Sequence, residues 1–163
     1  MKKAIIASLG GIALAMGLTA CSSESETPVE AAPDAPEGIS VTEGRMNLPA
    51  AAGNPSAVYF TITNTSGEDQ MLRAVSVQGA ENAMFHETSE WSGQVDMQEL
   101  LSVTVPAGET VVFEPGGKHV MVFGLPEGLE PGGEVEVTLS FARGDKISFP
   151  ARLLAPGDTG AAN

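Results

Sequence analysis

The chain has 163 residues, of which 42% are hydrophobic, with 8 basic and 21 acidic side chains, a single cysteine and a formal charge of −13. That length holds one domain with appendages. So acidic a surface argues against nucleic acid as a partner, because phosphates need basic contacts, and one cysteine leaves no intramolecular disulfide to stabilise the fold.

At the N-terminus, Lys2 and Lys3 precede an apolar run from Ala4 to Leu18, and Leu18-Thr19-Ala20-Cys21 reads as a lipobox. The run is too short for a permanent transmembrane helix. Residues 1–20 are therefore expected to be a lipoprotein signal peptide, with Cys21 the lipidated first residue of a mature periplasmic protein. More than one acyl chain holds such a protein durably on a membrane without spanning it. Ser22 and Ser23, with no Asp at the second position, resemble Gram-negative sorting signals for the outer membrane. Both leader lysines leave with the signal, so 8 basic residues become 6 against 21 acidic ones, a formal charge of −15.

Residues 21–37 carry Ser, Glu, Pro and Ala with almost no large apolar side chain, the composition of a flexible acidic tether. Its root-mean-square reach is about 20–25 Å. A domain is expected over 38–154 and a polar, frayed tail over 155–163. Within the domain, period-two alternation predicts strands at 58–63, 71–79, 83–89, 101–105, 110–114, 120–123, 135–141 and 146–153. Turn chemistry separates them, at Asn64-Thr65-Ser66-Gly67, Pro106-Ala107-Gly108, Pro115-Gly116-Gly117, Pro131-Gly132-Gly133 and Arg143-Gly144-Asp145. The string Glu-Pro-Gly-Gly is used twice, at 114–117 and 130–133. No stretch keeps a helical period over three turns. Eight or so strands at this spacing imply an all-β, antiparallel sandwich or barrel.

The chemistry concentrates in four side chains. On a strand, His119 and Met121 share a face while Val120 takes the other. His86 lies in a second extended run, Met84-Phe85-His86-Glu87, and the turn formers from Ser89 to Gly93 allow the chain to double back and bring Met97 near it. Taken singly, Met121 reads as core, His119 as a surface histidine and Met97 as gap filling. Together they give both histidines of the chain a methionine each, and imidazole with thioether is the donor set that favours monovalent copper.

The spacing His-x10-Met-x21-His-x-Met at 86, 97, 119 and 121 resembles the signature of the periplasmic copper chaperone PCu(A)C family. Ala57-Val58-Tyr59-Phe60-Thr61-Ile62-Thr63-Asn64 resembles its early strand. Pro115-Gly116-Gly117-Lys118-His119-Val120-Met121 with Gly124-Leu125 resembles its ligand strand. The resemblance covers about residues 38 to 154. It implies an antiparallel Greek-key β-sandwich, cupredoxin-like, that binds copper(I) through His86, Met97, His119 and Met121. It further implies delivery toward respiratory oxidase assembly, the CuA centre of cytochrome c oxidase. Oxidase subunit II or another copper chaperone would be the accepting partner.

Other readings stand beside this one. Met84 can share the face of His86, as a reserve ligand or as part of the apolar wall of the site, and the wall is the preferred reading. Glu87 and Asp96 adjoin ligand positions and could convert the set to a two-histidine, carboxylate zinc site, although strand alternation turns both away. Trp91 is either a shield over the metal or a partner contact. The sequence carries no nucleophile motif, and both histidines are better explained as ligands, so an enzyme is not expected; the absence of a usable thiolate excludes a blue-copper electron carrier. A copper buffer or resistance protein, and a metal-free β-sandwich interaction module, are the competing functions.

Overall fold

Side chains alternate between the interior and solvent from Ile39 onward, and this period of two builds the fold. The computed structural model describes residues 35–51 and 53–160; the leader, Cys21 and the tether as far as residue 34 lie outside them. Ten strands follow in order: β1 (Ile39–Asn47), β2 (Ser56–Asn64), β3 (Gln70–Val77), β4 (Asn82–Trp91), β5 (Gln94–Leu100), β6 (Val103–Val105), β7 (Thr110–Phe113), β8 (Lys118–Phe123), β9 (Glu134–Phe141) and β10 (Lys146–Leu154). In β2, Val58, Phe60 and Ile62 are fully buried and their odd-numbered neighbours are not. In β9 and β10 the buried positions are Val135, Val137, Leu139 and Phe141, then Ile147, Phe149, Ala151 and Leu153.

The strands form one continuous ladder in the order β5-β4-β8-β7-β2-β1-β10-β9-β3-β6, with β8 also paired to β2. Most pairings are antiparallel; β1 with β10 and β7 with β8 are parallel. Strand β3 packs against β4, and β6 against β2, with no ladder between them, so the ribbon folds over itself into a sandwich. Stacked Phe60 and Phe113 (centroids 4.2 Å apart) and the tilted Phe149 and Phe85 fill the space between the layers. Buried Asn64 ties the layers together by donating to the carbonyls of Glu68 (2.8 Å) and Val105 (3.0 Å).

Two strands depart from the sequence expectation of eight. The first, β1, contains a bulge between Thr42 and Arg45, where Glu43 sits at φ 57°. The bulge exchanges the faces of the strand: Ile39 and Val41 are buried before it, Met46 after it. A Cβ on Gly44 would lie 2.5 Å from the Pro150 carbonyl oxygen, so only glycine fits there. The second, β5, is an edge strand exposed on both faces. It pairs with β4 from Phe85↔Leu100 to Trp91↔Gln94, and Ser92 and Gly93 both adopt positive φ (55° and 77°), as in a two-residue I′ hairpin turn. The loop expected from Ser89 to Gly93 is thus two residues long, and Ser89 and Glu90 belong to β4.

Both Glu-Pro-Gly-Gly strings form the same turn. The N–H of Gly117 donates to the Glu114 carbonyl (3.1 Å) and that of Gly133 to Glu130 (3.2 Å). Proline second and a positive-φ glycine third (Gly116 at 82°, Gly132 at 91°) are what a type II turn requires. Past β10, the Asn47 side chain donates to the carbonyls of Asp158 (2.6 Å) and Ala155 (3.3 Å), which holds the start of the tail against β1.

Candidate metal centre

The type II turn at 114–117 launches β8 directly into the site. Val120 and Val122 are fully buried in the core, so His119 and Met121 take the outer face of the sheet. On β4 Phe85 is the core residue at 2% exposure, which gives Met84 and His86 the same outer face. Register completes the arrangement: His86 lies directly opposite His119, and Met84 directly opposite Met121. The two imidazole centroids are 6.0 Å apart with planes inclined at 37°.

Met97 reaches this face from the other side of β4. It sits opposite Thr88 on the edge strand, half exposed, while Glu99 sits opposite His86. The ladder therefore brings His86, His119 and Met121 onto adjoining positions. Met97 is one step away, on the side of the histidine pair remote from Met121.

The hydrogen bonds decide which nitrogens can donate an electron pair. Nδ1 of His119 lies 3.0 Å from the Gly117 carbonyl oxygen. A carbonyl only accepts, so Nδ1 carries the proton and Nε2 keeps its lone pair free. For His86 both ring nitrogens are buried with no hydrogen-bond partner. A buried polar atom left unpaired is expensive, and a metal ion bound through either nitrogen is one way to satisfy it. Burial pushes the His86 pKa below the ordinary 6.5, the neighbouring His119 pushes the same way, and Glu99 opposes them. The ring is accordingly neutral near pH 7, the form that binds metal.

Next to His119 on the same face, the Tyr59 ring lies 6.4 Å away, and the Arg45 guanidinium lies 5.2 Å above that ring. Burial raises the Tyr59 pKa, with Arg45 acting against it. The bulge in β1 is what puts Arg45 there, since without the inserted residue it would point into the core.

Of the two carboxylates adjoining candidate ligand positions, Glu87 is paired across the ladder with Lys118, and its side chain forms a 2.6 Å ion pair there. Asp96 lies opposite Ser89. Alternation sets both off the histidine face. Glu99 is the acid that shares this face, and the sequence reading passed over it. Its position two residues beyond Met97 was the available signal. Among the described residues no group of three or more His, Cys, Asp or Glu side chains gathers as a metal site.

Comparison with known proteins agrees with this architecture. A solved apo PmoF2 PCuAC domain superposes with a TM-score of 0.64 at 19% identity, covering 76% of this chain and 95% of that one. The solution structure of CuI-DR1885 from Deinococcus radiodurans gives a TM-score of 0.51 at 26% identity, covering 82% and 85%. What these domains share with the present chain is an all-β, cupredoxin-like sandwich. "Putative lipoprotein Lxx21020" of Leifsonia xyli subsp. xyli is 31% identical over 137 residues, which is 81% of this chain and 79% of that protein. The family described as "Putative lipoprotein LpqE-like" matches residues 39–153, nearly the whole ten-stranded ladder, and the chain belongs to this LpqE-like lipoprotein family.

Proposed function

We propose that this chain is a non-enzymatic copper(I) carrier of the PCu(A)C type, held outside the cytoplasm by lipid on Cys21. In this reading His86, Met97, His119 and Met121 handle one ion. The tether over 21–37 lets the domain reorient above the bilayer, the outer membrane in a Gram-negative cell. The ion passes to the CuA centre of cytochrome c oxidase, through oxidase subunit II or another copper chaperone.

One observation carries the reading: His86, with both ring nitrogens unpartnered, lies across the ladder from His119, whose Nδ1 is engaged by the Gly117 carbonyl, with Met121 beside that pair on the same face. Neutral imidazoles and thioethers suit a soft monovalent ion, whereas a divalent ion gains more from carboxylates. The copper(I) form of a structural neighbour lends the same support. Exposed Met97 suits ligand exchange, because a recipient can replace a weak, accessible thioether first.

Copper(I) titration against a competing chelator tests the proposal. The wild-type protein should bind one ion at least about tenfold more tightly than a Met97→Ala, Met121→Ala double variant; equal affinities would end it. Transfer to a metal-free oxidase CuA domain then separates delivery from storage, since a copper buffer would show no directional transfer.

A further inference from the structure

The sequence motif counts two sulfurs, but a third faces the same histidines. Met84 is two residues before His86 on β4, on the same outer face, and it is the residue directly opposite Met121. Met84, Met121, His86 and His119 thus occupy successive rungs on one face of an antiparallel ladder, with Phe85↔Val120 between them facing the core. We infer that Met84 is a sulfur ligand for the ion carried at the His86–His119 pair, alternating with the exposed Met97 as the second thioether. The inference rests on the copper(I) reading above and deepens it.

Ladder geometry separates the two candidates. Residues two apart on a strand span about 6.7 Å and neighbouring strands lie about 4.8 Å apart. On an ideal flat ladder, the Cα atoms of Met97 and Met121 then stand about 16 Å apart, on opposite sides of the histidine pair. Two extended methionine side chains, each reaching roughly 4 Å, and two metal–sulfur bonds of about 2.3 Å together span roughly 13 Å. On such a flat ladder, engaging both sulfurs at once requires the twist of the sheet or a bend of the β4–β5 hairpin to close the gap. Met84 requires no bending: directly opposite residues of an antiparallel pair have Cβ atoms about 4.5–5.5 Å apart.

Exposure divides the roles in the same way. Met84 is partly covered in the middle of the ladder, while Met97 is half exposed on a strand with a free edge. With Met84 as the second sulfur the ion is sheltered. With Met97 it stands at the rim, where an incoming donor can take it. No bond other than metal–sulfur changes, and the ion remains monovalent throughout.

X-ray absorption on the copper(I)-loaded protein counts sulfur neighbours directly. The wild type and Met97→Leu should each show two sulfurs, and Met84→Leu/Met97→Leu should show one, with affinity at least about tenfold weaker than for Met97→Leu alone. Leucine conserves volume closely enough for the fold to persist. A single sulfur in Met97→Leu, or two in the double variant, would overturn the role of Met84. A wild-type protein that binds no copper(I) would instead remove the reading on which the inference rests, so the two failures are distinguishable.

Discussion

Replacing His86 with leucine should stabilise the metal-free protein and, on the proposed copper(I) site, abolish stabilisation by copper. In the free protein both ring nitrogens of His86 are buried without partners, and each buried polar group left unsatisfied costs about 1–3 kcal/mol. Leucine is close to imidazole in volume, packs on the same outer face and carries no polar atom. Allowing for imperfect repacking, the expected gain is about 1 kcal/mol. Urea denaturation reads it as a rise in midpoint of roughly 0.3–1 M, for a slope of about 1–3 kcal/mol/M. With copper(I) at 100 times its dissociation constant, the wild type gains about 2.7 kcal/mol and the variant none, so the order of stability reverses. A metal-free variant less stable than wild type by 1 kcal/mol or more would show that the imidazole contributes to packing or hydrogen bonding, and the reasoning from its orphaned nitrogens would fail.

Three further outcomes are expected. Because the folded pKa of His86 lies below its ordinary 6.5, the unfolded chain binds more protons between those two values. Metal-free stability should therefore be undiminished by this group above about pH 6.5 and decline as pH falls from there through the depressed value. NMR titration should place the His86 midpoint below 6.5 and lower still in Glu99→Gln, which removes the opposing charge; a midpoint at or above 6.5 would contradict the burial argument. Ser92→Asn should stabilise the β4–β5 hairpin by a few tenths of a kcal/mol, since Asn tolerates positive φ better than Ser in an I′ turn, visible as slower amide exchange in β5. Dilute hydrogen peroxide should convert half-exposed Met97 to its sulfoxide before Met121 and Met84; peptide mass spectrometry showing Met121 modified first would reverse the assigned exposure order.

Strands whose inner face is apolar were legible as sequence. Val58-Tyr59-Phe60-Thr61-Ile62-Thr63 and Val135–Phe141 alternate without a fault, and the structure extends each by only one or two residues at an end. Strand β1 escaped because its bulge at Glu43-Gly44 shifts the apolar positions from odd to even, which breaks the period on which the reading depends. Strand β5, with the sequence QVDMQEL, escaped for a different reason: it has no core face, so no burial imposes alternation on it. The same gap misplaced the turn, because Ser89 and Glu90 look like loop until a partner strand is known. At the site, the shared face of His119 and Met121 followed from spacing alone. The rungs His86↔His119 and Met84↔Met121 did not, since spacing along a chain says nothing about which residues pair across a ladder.

The candidate donors stand on the reverse side of strands whose other side is the core. Phe85 of β4 and Val120 and Val122 of β8 pack the interior, while Met84, His86, His119 and Met121 alternate with them on the opposite face. Selection acting on the proposed site and selection acting on foldedness thus fall on different positions. Descendants of this gene could exchange these outer-face side chains while the β-sandwich persisted as a scaffold for something new.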